Sequence, residues 1–346
     1  MTARAFITGL SGAALNAAER AFLRDADPWG LILFKRNVET PAQVARLTAD
    51  FRESVGREAP VLVDQEGGRV QRLGPPHWPA YPPAAAFGRA YDRDPRAGLR
   101  TAWLAARLIA ADLRDVGIDV DCLPLADLPV AGSDPVIGDR AYGDTPEKVA
   151  QLACAAADGL LAGGVLPVLK HVPGHGRATA DSHARLPVVD AARELLETTD
   201  FVPFRRLADL PLGMTAHIVF TAIDPIAPAT TSATLVRHVI RDWIGFDGLL
   251  MSDDISMGAL SGSLDERSRA AISAGCDTVL HCNGKLEEMQ AVAGAVPRLA
   301  GAAATRAEAA LRRRRQPDTQ EIARLRAELA ALLAQQLPAG QTMATS

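Results

Sequence analysis

Short apolar runs rich in Val, Ile and Leu recur along the chain at 5–8, 30–34, 60–63, 118–123, 166–169, 212–219, 248–251 and 278–280. They are continuous rather than alternating, which marks strands buried on both faces. Helical punctuation fills most of the gaps. Thr40-Pro41 and Thr145-Pro146 each place an N-cap residue before a proline at the first helical position. Ser263-Leu264-Asp265-Glu266 spells a capping box, and Gly275 stands where a C-terminal glycine belongs. Eight buried strands alternating with helices predict an α/β fold, a (β/α)8 TIM-type barrel. An open doubly wound sheet is the other arrangement this pattern permits.

The polar residues sharpen the choice. Directly after the runs come Arg36 and Asn37, Asp64, Asp127, Lys170 and His171, His217, Asp253 and Asp254, and Asn283. They gather at the carboxyl ends of successive strands, which in a barrel form one mouth where active sites sit.

At 346 residues the chain fits one barrel plus an extension. We place the catalytic barrel at 1–300 and an Ala/Arg-rich helical tail at 301–346, packed on the barrel or trailing it. The run Arg312 to Arg315 reads as a solvated helix end or loop. The proline-rich stretch 75–83 reads as a rigid loop near the mouth. Lys plus Arg is 37 against 41 Asp plus Glu, a net charge of −4, so neither a nucleic-acid nor a membrane-surface partner is expected. Aromatics are only 5%, too few for stacking platforms to be the main binding device. No run suits a membrane-spanning helix, and Gly9, Ser11, Gly12 and Asn16 dilute a signal-like stretch at 5–18. Cys122, Cys154, Cys276 and Cys282 match no zinc spacing and read as reduced, mostly buried thiols of a cytoplasmic protein. A monomer is expected.

Three segments carry chemistry. Asp64-Gln65-Glu66-Gly67-Gly68-Arg69-Val70-Gln71-Arg72 puts acidic, glycine and basic residues right after a buried strand. Asp and Arg there can hold sugar hydroxyls by charge-assisted bonds, or simply pair with each other. Lys170-His171-Val172-Pro173-Gly174-His175-Gly176, followed by Asp181-Ser182-His183, gathers three of the seven histidines. Pro173 and Gly174 forbid a helix, so this is a strand running into a loop. Asp181 can orient the His183 imidazole, making a general acid/base dyad. A metal-dependent hydrolase using His171, His175 and His183 is the competing possibility, and a cluster of core histidines a third. In Leu249-Leu250-Met251-Ser252-Asp253-Asp254, successive side chains point to opposite faces. At most one aspartate therefore faces the mouth of a regular strand, where it can be a nucleophile for an acetal carbon. Periodicity does not choose between them.

The runs ILFKRN (32–37), VDQEGGRVQR (63–72), VIGDRAYG (136–143), KHVPGHG with DSH (170–176, 181–183), FDGLLMSDDISM (246–257) and AGCDTVLHCN (274–283) resemble glycoside hydrolase family 3. Within it they are most similar to the single-domain bacterial β-N-acetylglucosaminidases, cytoplasmic enzymes of peptidoglycan recycling. The resemblance implies a retaining exo-glycosidase that takes an amino-sugar substrate, a muropeptide, and needs no cofactor or metal. It assigns the nucleophile to Asp253 and the acid/base to His183, with Asp181 as its partner. It assigns sugar binding to Asp64, Arg72, Arg140, Lys170 and His171. Many larger relatives draw a glutamate acid/base from a second domain. The residues after Asn283 look helical and too few for one, so the His183 loop is the expected source. Two departures stand out: Val172 where an aromatic is common, and Arg177-Ala178 where an acidic residue often follows GHG.

Overall fold

The computed structural model describes residues 2–183 and 185–335. Its strands are β1 (Arg4–Thr8), β2 (Pro28–Leu33), β3 (Val61–Val63), β4 (Gln65–Gly67), β5 (Val70–Gln71), β6 (Val120–Asp121), β7 (Leu166–Val172), β8 (Val188–Val189), β9 (Leu212–Thr215), β10 (Val219–Phe220), β11 (Leu249–Asp254) and β12 (Thr278–His281). Eight of them close into a parallel barrel in the order β1-β12-β11-β9-β7-β6-β3-β2. Every apolar run of the sequence supplies one barrel strand, and their side chains are buried almost throughout. The single barrel replaces the open-sheet alternative.

The helices are α1 (Ala17–Ala26), α2 (Pro41–Val55), α3 (Ala84–Arg93), α4 (Pro95–Arg114), α5 (Pro146–Ala162), α6 (Arg193–Thr198), α7 (Val202–Arg206), α8 (Leu264–Ala274), α9 (Leu286–Ala295), α10 (Gly301–Arg312) and α11 (Ile322–Ala334), with a π-helix over Leu235–Trp243. Thr40 caps α2 by accepting from the Gln43 amide at 3.2 Å, whereas Thr145 makes no side-chain cap on α5. On α8, Glu266 accepts from the Ser263 amide at 2.9 Å. The Ser263 hydroxyl donates to Asp265 and Glu266 instead of accepting, so half the box forms. Gly275 ends the helix at φ 113°, a conformation that favours glycine.

Two expectations change. The run 212–219 is not one strand. The Ala216 amide still bonds the Val172 carbonyl at 2.8 Å, but His217 is pinned by its ring. The chain beyond it leaves the wall, and β10 pairs with β8. The arginine run is not simply solvated: Arg314 reaches Asp119 at 2.7 Å and donates to the Glu58 carbonyl at 2.9 Å, across the floor of the barrel. The proline-rich loop stands behind the β4–β5 hairpin, where the Gly68 amide donates to the Tyr81 carbonyl at 2.8 Å. Gly67 has φ 94°, and a Cβ there would lie 2.4 Å from the Pro82 carbonyl oxygen, so no other residue fits.

The tail helix α11 lies along α4, with Arg100 forked onto Glu328 at 2.7 and 2.8 Å and Arg326 on Asp112 at 2.6 Å. Among the described residues no helix is long and apolar enough to cross a membrane.

Candidate active site

The mouth of the barrel holds a cavity of about 560 Å³, lined by polar residues from six of the eight strand ends and the loops after them. Asp253, His183, Asp181, Asp64, Arg72, Arg140, Lys170 and His171 all line it. The sequence-derived set is thus brought together whole.

The two adjacent aspartates are both there, which corrects the expectation that one must turn away. The register of β11 against β12 breaks between Met251 and Asp254, so the strict alternation of a regular strand does not apply. Their surroundings differ. The Asp254 carboxylate accepts from the Ser256 amide at 3.0 Å, the Ser256 hydroxyl at 2.6 Å and the Cys282 amide at 3.2 Å. The Asp253 carboxylate accepts only the Asp254 amide, at 2.7 Å, among the described residues. Burial tends to raise the Asp253 carboxyl, but the His217 and His171 imidazoles and the Asp254 amide outweigh it. The group is held below the usual carboxylate range.

His217 shapes this corner. Its Nε2 donates to the Asp254 carbonyl at 3.0 Å, because a carbonyl can only accept. Its Nδ1 lies 2.6 Å from the Thr230 hydroxyl, which also donates to the Ala216 carbonyl at 3.1 Å. Burial lowers its pKa below the ordinary imidazole value.

The opposite wall is a network of charges. Arg72 and Lys170 meet Asp64 at 2.9 and 3.2 Å. Lys170 also meets Glu66 at 2.6 Å, and Glu66 takes a fork from Arg140 at 2.8 and 2.9 Å. Burial opposes charge on Lys170, yet Glu66 and Asp64 raise its pKa above the ordinary value, so it stays a cation. His171 donates from Nδ1 to the fully buried Asp127 at 2.7 Å, leaving Nε2 for a ligand. Asp127 also accepts the His175 amide at 2.6 Å.

The loop after β7 carries the dyad. His183 donates from Nδ1 to Asp181 at 2.7 Å, and its amide donates to the same oxygen at 2.9 Å. The side chains are 68% and 40% exposed, so Nε2 of His183 stands free at the rim of the cavity. Burial tends to raise the Asp181 carboxyl, but the bonds from His183 hold it low and ionised. Beneath the dyad, His175 bonds the Ser182 hydroxyl at 3.1 Å through Nε2. Burial and neighbouring His171 push the His175 pKa down to about 4. Arg177, the departure from the family pattern, is forked onto buried Asp200 at 2.8 and 3.1 Å and anchors the root of the loop.

The histidines proposed as metal ligands are separately engaged by Asp127, Ser182 and Asp181. Among the described residues no three His, Cys, Asp or Glu side chains converge on one metal position. Sequence reasoning left Glu66, Asp127 and His217 without a role, and gave His175 one only as a metal ligand. Asp127 and His217 carried a signal, since each follows a strand end; Glu66 lay inside a quoted motif.

Residues 5–314 match the family described as glycosyl hydrolase family 3 N terminal domain. A beta-hexosaminidase of Alkalilimnicola ehrlichii is 42% identical over 281 residues, 80% of this chain and 79% of that protein. One from Xylella fastidiosa is 40% identical over 294 residues, 83% of this chain and 87% of that protein. The crystal structure of NagZ from Neisseria gonorrhoeae in complex with N-trifluoroacetyl-D-glucosamine is 30% identical. It matches with a TM-score of 0.83 over 97% of this chain and 98% of that one.

Proposed function

The chain belongs to glycosyl hydrolase family 3, and from that premise we propose that it is a retaining exo-β-N-acetylglucosaminidase working through a glycosyl-enzyme on Asp253. The coarser activity, a β-N-acetylhexosaminidase, rests on relatives about 40% identical over most of the chain. The observation that carries the finer reading is the contrast between two carboxylates. Asp253 is nearly undonated and faces the cavity, while Asp254 is occupied by its own turn.

In the first step Asp253 attacks the anomeric carbon as the glycosidic C–O bond breaks. His183, protonated on Nε2, gives that proton to the departing oxygen. Its Nδ1–H stays on Asp181, which holds the working tautomer and balances the imidazolium charge. In the second step neutral His183 takes a proton from water, the water oxygen bonds the anomeric carbon, and Asp253 leaves as carboxylate. Two inversions give net retention. Asp64, Arg72, Arg140, Lys170 and His171 hold the sugar hydroxyls with charged, fixed donors and acceptors. No step calls on a metal or cofactor.

The substrate we propose is an N-acetylglucosaminyl anhydro-muropeptide, cleaved at its non-reducing end in the cytoplasm as part of peptidoglycan recycling. A panel of aryl β-glycosides differing only at the 2-position tests the specificity. The 2-acetamido glycoside should exceed the 2-hydroxy glycoside in kcat/KM by about 100-fold or more. Equal rates would remove the acetamido assignment and leave a glycosidase of other specificity.

A further inference from the structure

A general acid on a loop works only if the loop is held in place. Among the described residues, three hydrogen bonds tie 179–186 to other segments at the mouth. One is His175 to the Ser182 hydroxyl. The other two are backbone bonds: the Gly258 amide donates to the His183 carbonyl at 3.1 Å, and the Ala259 amide to the Ser182 carbonyl at 3.2 Å. Those donors belong to the turn that follows β11, directly after the proposed nucleophile.

Side chains fix this turn from both ends. At its start, Asp254 collects the Ser256 amide and hydroxyl and the Cys282 amide. The Met257 amide returns to the Asp254 carbonyl at 3.1 Å. At its far side, Arg267 on α8 donates from Nη1 to the carbonyls of Ile255 at 2.9 Å and Met257 at 3.1 Å, and from Nε to Gly262 at 2.9 Å. With these carbonyls engaged on α8, the next two amides face the 182–183 carbonyls. Arg267 does not line the catalytic cavity. Its guanidinium acts on three carbonyls and no carboxylate, so the pattern is that of a backbone clamp.

We propose that Arg267, together with Asp254, is a positioning residue for the general acid, because the turn they hold is the catch that keeps the Asp181–His183 loop over the scissile bond. The proposal rests on the assignment of His183 as the acid. It gives the motif SDD a division of labour: the first aspartate serves the sugar carbon, and the second serves the loop that protonates the leaving group.

The test compares two β-N-acetylglucosaminides, an alkyl glycoside that needs the proton and a dinitrophenyl glycoside that does not. General-acid catalysis contributes about 10²–10⁴-fold, and a displacement near 1 Å can cost about 10²-fold. Arg267→Ala should therefore slow the alkyl glycoside at least ~10-fold in kcat and the dinitrophenyl glycoside less than ~3-fold in the glycosylation step. Arg267→Lys loses the spread of the guanidinium fork and should fall between; if Arg267→Ala does not fold, it reads the same ratio. In a His183→Ala background, Arg267→Ala should add no further leaving-group dependence. Equal loss on both glycosides, or no loss on either, overturns the catch. If His183→Ala itself slows both glycosides equally, the acid assignment fails instead, so the two failures are distinguishable.

Discussion

The amide of Asp254 donates to the carboxylate of Asp253 at 2.7 Å, while the Asp254 carboxylate is engaged by Ser256 and Cys282. One residue positions the other, and the backbone bond costs Asp253 only one of its lone-pair sites. Asp253→Ala should therefore lose about 10⁴-fold or more in kcat with sugar binding largely kept. Asp254→Ala should lose less, and more on poor leaving groups than on good ones. Steady-state rates with paired binding titrations read both; a reversed ranking would move the nucleophile to Asp254.

His183 is the second catalytic assignment. Removing it should spare the dinitrophenyl glycoside, whose phenolate leaves without a proton, and slow a natural disaccharide by about 10²-fold or more. Asp181→Asn should show the same preference more weakly, because the ring remains but loses the charge that holds its tautomer. A loss that ignores the leaving group would make the dyad structural.

Glu66 holds two of the cavity's cations at once, Lys170 at 2.6 Å and Arg140 at 2.8 Å. Glu66→Gln leaves those buried cations under-compensated. Breaking such a network costs about 3–5 kcal/mol, so the melting temperature should fall by several degrees. KM should rise because the cations lose their aim, with kcat for a bound activated substrate changed less. A normal KM would show that Asp64 alone suffices to place Lys170.

His175 makes stability depend on pH. Its folded pKa is about 4, below the ordinary value near 6.5. The unfolded chain therefore binds this proton first. The contribution is full above about pH 6.5 and is lost as pH falls through about 4, up to ~3 kcal/mol in all. The groups facing it are His171, Asp127, Ser182 and Asp253. Asp127 and Asp253, whose carboxyls are held low, weaken the fold in the same acid direction. Thermal melts of His175→Gln between pH 4 and 6.5 should consequently fall less steeply than wild type. Parallel curves would mean the acid limb belongs to the carboxylates alone.

Much of the barrel was legible because burial on both faces leaves continuous apolar runs, and because polar residues recur at the carboxyl ends of successive strands. The residues that line the cavity were legible through long motifs. What stayed hidden depended on departures from regularity. The alternation rule kept Asp253 and Asp254 on opposite faces, and a register break put both at the mouth. The run 212–219 looked like one strand because its residues are buried on both sides of the break at His217. Arg314 looked like surface because charge runs usually are, but its partner Asp119 lies far away in sequence on the barrel floor. The Arg267 clamp was invisible for the same reason in sharper form, since its acceptors are backbone carbonyls that no residue type announces.

The measurement that bears most directly on the glycosyl-enzyme is trapping it. A 5-fluoro-N-acetylglucosaminyl fluoride slows formation and hydrolysis of the ester by destabilising the positively charged transition states, while its fluoride leaves readily. The enzyme should gain the mass of one sugar residue, and peptide mapping should place that mass on Asp253. A label on Asp254 or His183, or turnover that releases the inverted anomer with no covalent species, would contradict it.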